Sequence, residues 1–218
     1  MVLAMGVTIA GGMVASAAST PTFNQTINAG VLSTDILDAS RVSVSSPSVA
    51  MSTQSFLFNC ASGGSASTGT FGSNTQRIYV INPNGANNGW TLTMAATSGA
   101  TALWSDGGTN TYDFNDATSS GCTDGADADS KGGQLTVDPS VSTLTTDCSG
   151  CTTTSVTKGS SSAFVETSQN SITLLSAALA SDDVWRGYLT GVALSQAIPA
   201  EQPAASYTIN MTLTATAL

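Results

Sequence analysis

The chain has 218 residues, a formal net charge of −9 and no histidine, and only 9% of its residues are charged. Proteins that bind nucleic acids or anionic membranes need clustered cations, whereas the five Lys and Arg residues of this chain are scattered. We therefore expect no nucleic acid and no anionic lipid surface as a partner. The length fits one domain. Many Thr- and Val-rich runs between Gly, Asn and Pro turns predict an all-β fold, an antiparallel β-sandwich of Ig-like or jelly-roll-like type.

Residues 1–19 are predicted to be an export signal, because an apolar run is followed there by small residues suited to cleavage. The alternative is a transmembrane helix, which needs about 20 strongly apolar residues. This stretch is short and rich in Gly, Ala and Ser, so we expect no stable membrane span in the mature chain. No Lys or Arg precedes Arg41, and a true start codon upstream of Met1 would explain the missing basic residues. Residues 20–218 are then a single exported β-sandwich domain, located outside the cell at its surface.

The first half of the mature chain contains several predicted strands. Thr22–Asn28 is predicted as the first strand and Val31–Leu37 as the second. Cys60–Gly72 is rich in Gly and Ser, which indicates a flexible connection or a hairpin tip. Arg77–Asn82 is apolar at almost every position, as in a strand covered on both faces, and Trp90–Ala96 alternates apolar and polar residues. The strong turn signal between these last two runs predicts that they form a hairpin.

The second half of the mature chain continues the β pattern. Shorter β-like runs are Ala102–Trp104, Gln134–Val137, Ser171–Leu175 and Gly191–Ile198. The clearest alternation is near the C-terminus, where five apolar side chains share one face: Tyr207, Ile209, Met211, Leu213 and Ala215. Ten residues with a period of two predict a strand with one dry face.

A long acidic loop insertion is predicted at about residues 105–133. The stretch Trp104–Asp138 holds seven of the fourteen acidic residues of the chain, in a Gly- and Ser-rich context. Two interpretations stay open, a structural Ca²⁺ site built from carboxylate and amide oxygens and a solvated acidic surface. The twelve-residue spacing and the terminal Glu of an EF-hand are missing. The candidate ligands of a Ca²⁺ ion are Asp113, Asn115, Asp116, Asp124, Asp127 and Asp129.

The four cysteines of an exported chain are expected to form disulfides. Cys148 and Cys151 are close enough in sequence to pair with each other, which would leave Cys60 with Cys122. Three pairings are possible, and the sequence does not choose among them. A redox-active Cys-x-x-Cys pair would need a helix N-terminus, but Thr-rich flanks here favour a loop. A zinc site would need further Cys or His ligands.

We expect the protein not to be an enzyme. Without histidine a Ser-His-Asp triad is impossible. A glycosidase needs two carboxyl groups across a sugar cleft, one of them in an apolar pocket, whereas the aspartates of this chain lie among Gly and Ser. No Gly-rich phosphate loop follows a strand and opens a helix.

Two of the aromatic residues are candidate contacts for a sugar ring. Trp90 begins an alternating strand, which favours a place in the core over ligand binding. Trp185 has polar neighbours, which indicates a surface position, and Tyr188 follows it closely. Aromatic side chains at a rim can stack on sugars, so Trp185 and Tyr188 are the candidate glycan contacts.

Two segments give the chain a resemblance to a known family. Asn82–Met94 resembles the first motif of WxL-type bacterial cell-surface domains, with Trp90 and Leu92 as the Trp-x-Leu pair. Ile198–Leu213 is similar to the last strand of that family and Thr26–Leu32 to its opening strand, although Thr212–Thr214 stands where a second Trp-x-Leu occurs in the family. The resemblance implies a secreted β-sandwich held non-covalently on a Gram-positive cell wall, with peptidoglycan as its partner.

Two functional hypotheses follow. The first is a non-enzymatic cell-surface protein associated non-covalently with the envelope, with a role in binding peptidoglycan or another surface glycan, or in adhesion and display. The alternative is a structural subunit of a surface filament or surface layer. For that role a terminal strand, Tyr207–Ala217 or Thr22–Asn28, would add to the sheet edge of a neighbouring copy.

Overall fold

The computed structural model describes residues 24–58, 65–85, 88–117, 132–179 and 184–218. The predicted export signal, Cys60, Cys122 and the candidate ligands Asp124, Asp127 and Asp129 lie outside these described residues. Within the described ranges, no helix has the length and apolar character needed to cross a bilayer.

The described chain is built from β-strands and short connections, with one turn of 3₁₀ helix at Gly99–Thr101. In chain order the strands are β1 Ser33–Leu37, β2 Ser65–Phe71, β3 Arg77–Asn82, β4 Trp90–Ala96, β5 Leu103–Ser105, β6 Thr111–Asp113, β7 Asn115–Asp116, β8 Gly133–Asp138, β9 Thr143–Thr146, β10 Val156–Lys158, β11 Ser162–Ala163, β12 Ile172–Ala177, β13 Trp185–Thr190, β14 Val192–Ile198 and β15 Met211–Ala217.

The strands form several antiparallel sheets. Sheet 1 has the order β1-β3-β13-β9, and sheet 2 has the order β10-β12-β4-β15. Sheet 3 has the order β11-β8-β14-β2, with β7 also paired to β8, and β5 and β6 make a separate two-stranded hairpin. Every pairing between these strands is antiparallel. The predicted all-β antiparallel sandwich is therefore confirmed.

One hydrophobic core joins the three larger sheets. It includes Ile78 of sheet 1, Leu92 of sheet 2 and Val137 of sheet 3, each with 0% of its surface exposed. The rings of Trp90 and Trp185 meet at a centroid distance of 5.2 Å and connect sheet 2 to sheet 1. Burial of such large side chains supplies most of the driving force that holds the sheets together.

The predicted hairpin between Arg77–Asn82 and Trp90–Ala96 is wrong. Both runs are strands with the expected bounds, but β3 lies in the interior of sheet 1 and β4 in the interior of sheet 2. The turn between them carries the chain from one sheet to the other. Each of the two strands is flanked on both sides by strands that are distant in sequence. The turn signal therefore correctly predicted that the chain turns between β3 and β4, but not that each strand pairs with other strands.

Two predictions about flexible and extended segments are also corrected. The described part of Thr22–Asn28, residues 24–28, is not in a strand, and Ile27 is 88% exposed. Alternation alone does not make a strand when no neighbouring strand accepts its hydrogen bonds. Conversely, Ser65–Phe71 within the Gly/Ser-rich stretch is strand β2, which pairs with β14 along its full length.

Two glycines allow the chain to change sheets at one corner. Gly191 lies between β13 of sheet 1 and β14 of sheet 3, while Gly72 follows β2 of sheet 3 shortly before β3 of sheet 1. Their φ angles are 81° and 85°, in the left-handed region that favours glycine. Gly191 N donates to Gly72 O at 2.9 Å, so the two crossings brace each other.

Candidate functional site

The β5–β6 hairpin places two aromatic rings side by side. Trp104 and Tyr112 are directly opposite each other in its register, and their rings stack at a centroid distance of 5.9 Å with an interplanar angle of 7°. Asp106 closes the turn, because its carboxylate accepts hydrogen bonds from Gly108 N at 2.7 Å and from Asn110 Nδ2 at 2.6 Å. These bonds, the Gly108 bond foremost, lower the pKa of Asp106. The first acidic residue of the insertion is thus a turn residue.

Tyr207 adds a third ring from the C-terminal part of the chain. Its ring meets Tyr112 edge-on at 5.1 Å, and its hydroxyl donates to Pro203 O at 2.7 Å. Gln202 Nε2 in turn donates to the Tyr207 hydroxyl at 2.8 Å. Backbone bonds between Ser105 and Thr208, at 3.0 and 2.8 Å, hold this segment against the hairpin. The three rings therefore form one fixed cluster.

Gln196 of β14 fixes the indole of Trp104. Its side chain is 1% exposed, and its Oε1 accepts a hydrogen bond from Trp104 Nε1 at 2.8 Å. The Nε2 of Gln196 donates to Asp113 O at 3.0 Å and to Ala197 O at 2.8 Å. Because both ends of the amide are used, the orientation of the Trp104 ring is set by the central strand of sheet 3.

Above this cluster lies a cleft of about 440 Å³, which we call the aromatic cleft. It is lined by residues 49–57, by residues 198–199 and 202–207, which include Tyr207, and by Trp104, Tyr112 and Gln196. Trp104 and Tyr207 are half-buried, so their rings are partly open to solvent. The described residues that line the cleft carry no charged side chain. The site combines aromatic faces with hydroxyl and amide groups, which suits a neutral polar ligand with apolar faces.

The predicted surface position of Trp185 is wrong. Trp185 is 1% exposed, its ring packs against Trp90, and its Nε1 donates to Thr152 O at 2.9 Å. The reason is that β13 lies inside sheet 1, with Trp185 and Leu189 on the core face and Arg186 on the opposite face. Trp185 is therefore a core residue that cannot stack on a sugar.

Tyr188 lies on the outer face of sheet 1 and is half-buried. Its ring contacts Tyr79 at a centroid distance of 5.0 Å, and the Arg77 guanidinium lies 4.5 Å from its centroid. These neighbours occupy the ring of Tyr188, and the structure places it in sheet 1, apart from the aromatic cleft.

The carboxylate of Asp147 accepts several hydrogen bonds on the same outer face of sheet 1. Arg41 donates to both carboxylate oxygens of Asp147 at 2.6 and 2.7 Å, and the Tyr79 hydroxyl donates at 3.0 Å. The Arg41 bond is the largest of the effects that lower the pKa of Asp147. Arg41 has a φ of 65°, an unusual value for a residue with a side chain, in a turn that Asp38 closes by accepting hydrogen bonds from Ser40 N at 2.8 Å and Val42 N at 2.9 Å.

The Cys148–Cys151 disulfide is confirmed, with a Cα–Cα distance of 5.5 Å. Cys148 Sγ accepts a hydrogen bond from Arg186 N at 3.1 Å, so the disulfide loop packs against β13. It directly follows Asp147 and fixes the end of β9. Its role in this position is structural.

The described candidate ligands of Ca²⁺ are buried rather than on a solvated loop. Asp113, Asn115 and Asp116 are 3%, 2% and 6% exposed, and they belong to strands β6 and β7. Between them Phe114 packs on Phe164 at 5.0 Å, so this part of the predicted acidic loop belongs to the folded core. The Asn115 amide donates to Ala100 O at 2.8 Å.

Among the described residues, no group of three or more Asp, Glu, Cys or His side chains is arranged to hold a metal ion. Half of the candidate ligand set, Asp124, Asp127 and Asp129, lies outside those residues. The structural Ca²⁺ site therefore stays a prediction.

The aromatic cleft was missed by the sequence analysis. Its rings come from the β5–β6 hairpin and from a segment near the C-terminus, so no local motif unites them. A usable signal was present in the hairpin, because Trp104 and Tyr112 flank an Asp-Gly-Gly turn at positions that face each other.

Comparisons with protein-family models, with curated proteins and with solved structures found no match to this chain.

Proposed function

We propose that the protein is an exported, non-enzymatic β-sandwich that binds a glycan of the cell envelope in the aromatic cleft. The observation that carries this proposal is the fixed cluster of Trp104, Tyr112 and Tyr207, which lines an uncharged cleft. Peptidoglycan is the favoured ligand, because the WxL resemblance implies a cell-wall partner.

The chemistry of the cleft supports a sugar ligand. A pyranose ring has apolar C–H faces that stack on aromatic rings, and hydroxyl groups that exchange hydrogen bonds with amides. Trp104 and Tyr207 offer partly open rings, and Gln202 and the Ser- and Thr-rich segment 49–57 offer polar groups beside them. The volume of about 440 Å³ fits one or two sugar units.

The lining also favours binding over hydrolysis. Glycoside hydrolysis requires two carboxyl groups on either side of the scissile bond. The described residues of the aromatic cleft are apolar, hydroxyl-bearing or amide-bearing. Such a set recognises and holds a neutral glycan.

Tryptophan fluorescence tests this proposal directly. Trp90 and Trp185 are each 1% exposed, so Trp104 is the tryptophan from which a ligand in the cleft changes emission. Soluble peptidoglycan fragments should change the emission of the protein, and the purified protein should sediment with peptidoglycan sacculi. Replacing Trp104→Ala should weaken sacculus binding by about two- to tenfold, since an aromatic stacking contact contributes about 0.5–1.5 kcal/mol.

The matched control is Tyr188→Ala, which removes an aromatic ring from the outer face of sheet 1 and should leave binding unchanged. Thermal unfolding of each variant separates loss of binding from loss of fold. Absence of sacculus binding by the wild type, or equal binding by the folded Trp104→Ala variant, would contradict the proposal.

A further inference from the structure

Two exposed phenylalanine rings, which we call the phenylalanine pair, lie beside the aromatic cleft. Phe56 and Phe58 are 42% and 84% exposed, and their rings meet at a centroid distance of 4.7 Å. Phe71, Phe114 and Phe164 instead belong to the hydrophobic core or pack against it. Single exposed apolar residues are common on proteins, whereas adjacent large ones indicate a contact with a ligand or a partner.

The phenylalanine pair continues the aromatic surface of the cleft. Phe56 lines the cleft together with Trp104, Tyr112 and Tyr207. Phe58 lies outside that lining and contacts the ring of Phe56. Phe56 therefore belongs to both the cleft and the pair, and a ligand that leaves the cleft across Phe56 meets Phe58 next.

Backbone hydrogen bonds hold the segment that carries the pair. Glu201 N donates to Leu57 O at 2.8 Å, which ties the residue between the two phenylalanines to the turn at residues 200–201. Earlier in the same segment, Ser52 N donates to Thr68 O of β2 at 2.7 Å. Because the backbone is fixed at both points, a ligand that contacts the rings orders little of the chain, and binding loses little conformational entropy.

The geometry of the pair leaves ring faces open to a ligand. The planes of the two rings are 77° apart, so the contact is edge-to-face. In such a contact one ring uses only its edge, and both of its faces stay free. Phe58 is the more exposed of the two residues and keeps most of its ring open to solvent. A flat apolar face of a ligand can therefore stack on it.

The groups beside the pair indicate the chemistry of its ligand. Residues 52–55 have the sequence Ser-Thr-Gln-Ser, and all four line the aromatic cleft next to Phe56. A lipid tail in this position would leave their hydroxyl and amide groups without hydrogen bonds. The described lining of the cleft carries no charged side chain that could pair with a charged polymer. A sugar chain matches both the polar groups and the aromatic rings.

The size of the cleft requires a long glycan to continue outside it. A volume of about 440 Å³ takes one or two sugar units. The further units of a glycan strand must therefore lie on the surface beside the cleft. The exposed ring of Phe58 is placed to receive one of them.

We propose that the phenylalanine pair is a second stacking subsite for the glycan in the aromatic cleft, so that the protein selects glycan chains longer than the cleft itself holds. This inference rests on the proposed binding of a glycan in the cleft. One part of the chain occupies the cleft, and a unit outside it stacks on Phe58. Because the two contacts belong to one ligand, the second contact forms without a further loss of translational freedom and strengthens binding.

A series of ligand lengths tests the second subsite. Disaccharide and longer glycan-strand fragments of peptidoglycan are titrated into the protein, and the emission of Trp104 reports occupancy of the cleft. The wild type should bind the longer fragments about two- to tenfold more tightly than the disaccharide, the gain expected from one stacking contact. Phe58→Ala should remove this gain and leave the affinity for the disaccharide unchanged. Phe58→Leu, which keeps apolar bulk without a ring, should behave as Phe58→Ala does, and Phe58→Tyr should retain the gain.

The matched control is Val141→Ala, which removes a 62% exposed apolar side chain away from the cleft and should keep the full gain with ligand length. Because Phe58 is at the surface, its variants should melt close to the wild type. Equal affinity of the wild type for short and long fragments, or a gain that survives in Phe58→Ala or Phe58→Leu, would overturn the inference while glycan binding in the cleft stands.

Two further results identify other failures. Binding of neither fragment by the wild type would overturn the proposed function and this inference with it. Sedimentation of the wild type, but not of Phe58→Ala, with phosphatidylcholine vesicles would assign the pair to a membrane surface and overturn the inference alone.

Discussion

Individual side chains owe their roles here to the face of the strand on which they lie. Trp185 and Trp104 both have polar neighbours in sequence, yet one is in the core and the other lines the aromatic cleft. The alternation of buried and half-buried residues in β13 could have predicted that Trp185 is buried, because Trp185, Gly187 and Leu189 share the buried face of that strand. The local signal at Trp104 is its place opposite Tyr112 across the hairpin turn, but its exposure depends on the space left by residues 49–57, 198–199 and 202–207.

The ion pair of Asp147 gives a residue-level prediction about pH. Its pKa is lowered from an ordinary value of 3.8, chiefly by the Arg41 hydrogen bond. A lowered pKa in the folded state stabilises the protein above the unfolded value, and this contribution disappears as the pH falls through the folded value. Asp147→Asn should therefore cost about 1 kcal/mol at pH 7, a modest loss because solvent screens the pair, and less at about pH 3, below the ordinary pKa of the carboxyl.

Urea unfolding of the wild type and Asp147→Asn at both pH values measures this difference. Arg41→Gln is the matched control: in combination with Asp147→Asn it should add less than its effect alone, because the two residues share one interaction. A stability difference that does not change with pH would refute this assignment to the carboxylate charge.

At the scale of elements, the sequence predicts where strands lie better than it predicts which sheet each connection leads to. The bounds of β3 and β4 agree with the sequence prediction, but their membership of different sheets was not predicted. The predicted acidic loop likewise contains strands β6 and β7, because Phe114 between them is buried and packs against Phe164 in the core. A turn signal indicates that the chain reverses, and packing determines where it goes next.

At the corner between sheets 1 and 3, we expect glycine-to-alanine substitutions at two positions to lower the stability of the fold by different amounts. Gly72 and Gly191 both have left-handed φ angles, so alanine at either position should cost about 1 kcal/mol of backbone strain. A Cβ at Gly191 would meet open space, whereas one at Gly72 would lie 3.0 Å from Leu189 O and 3.1 Å from Thr190 Cα. Gly72→Ala should therefore be more destabilising than Gly191→Ala by about 1 kcal/mol or more. Chemical denaturation of both variants measures the order, and equal costs would show that the corner relaxes freely.

The acidic segment predicts a response to Ca²⁺. If Asp124, Asp127 and Asp129 complete a site, Ca²⁺ should raise the melting temperature and EDTA should lower it, because a ligand that binds only the folded state stabilises it. A stabilisation of 1 kcal/mol corresponds to about 2–4 °C in a chain of this size. Mg²⁺ is the control ion, and replacing the three aspartates with asparagine should abolish the shift. Calorimetry that detects no shift with either Ca²⁺ or EDTA would favour the solvated acidic surface.

For the whole molecule, the proposed binding site depends on segments that are distant from one another in the sequence. The aromatic cleft forms where sheet 3, the β5–β6 hairpin and the C-terminal turn meet, so it is braced on several sides. A site braced in this way suits the glycan binding that we propose.

Local patterns in the sequence predict the all-β class and the bounds of strands such as β3 and β4, and they make Cys148–Cys151 one of three possible cysteine pairings. These features depend on residues close together in the chain, where alternation and short spacing are visible. Packing between distant segments selects which sheets the strands join, and it places Tyr207 beside Tyr112, whose ring stacks on Trp104. Those features depend on contacts between distant segments, and the packing of one shared core selects among partners that local patterns leave equivalent.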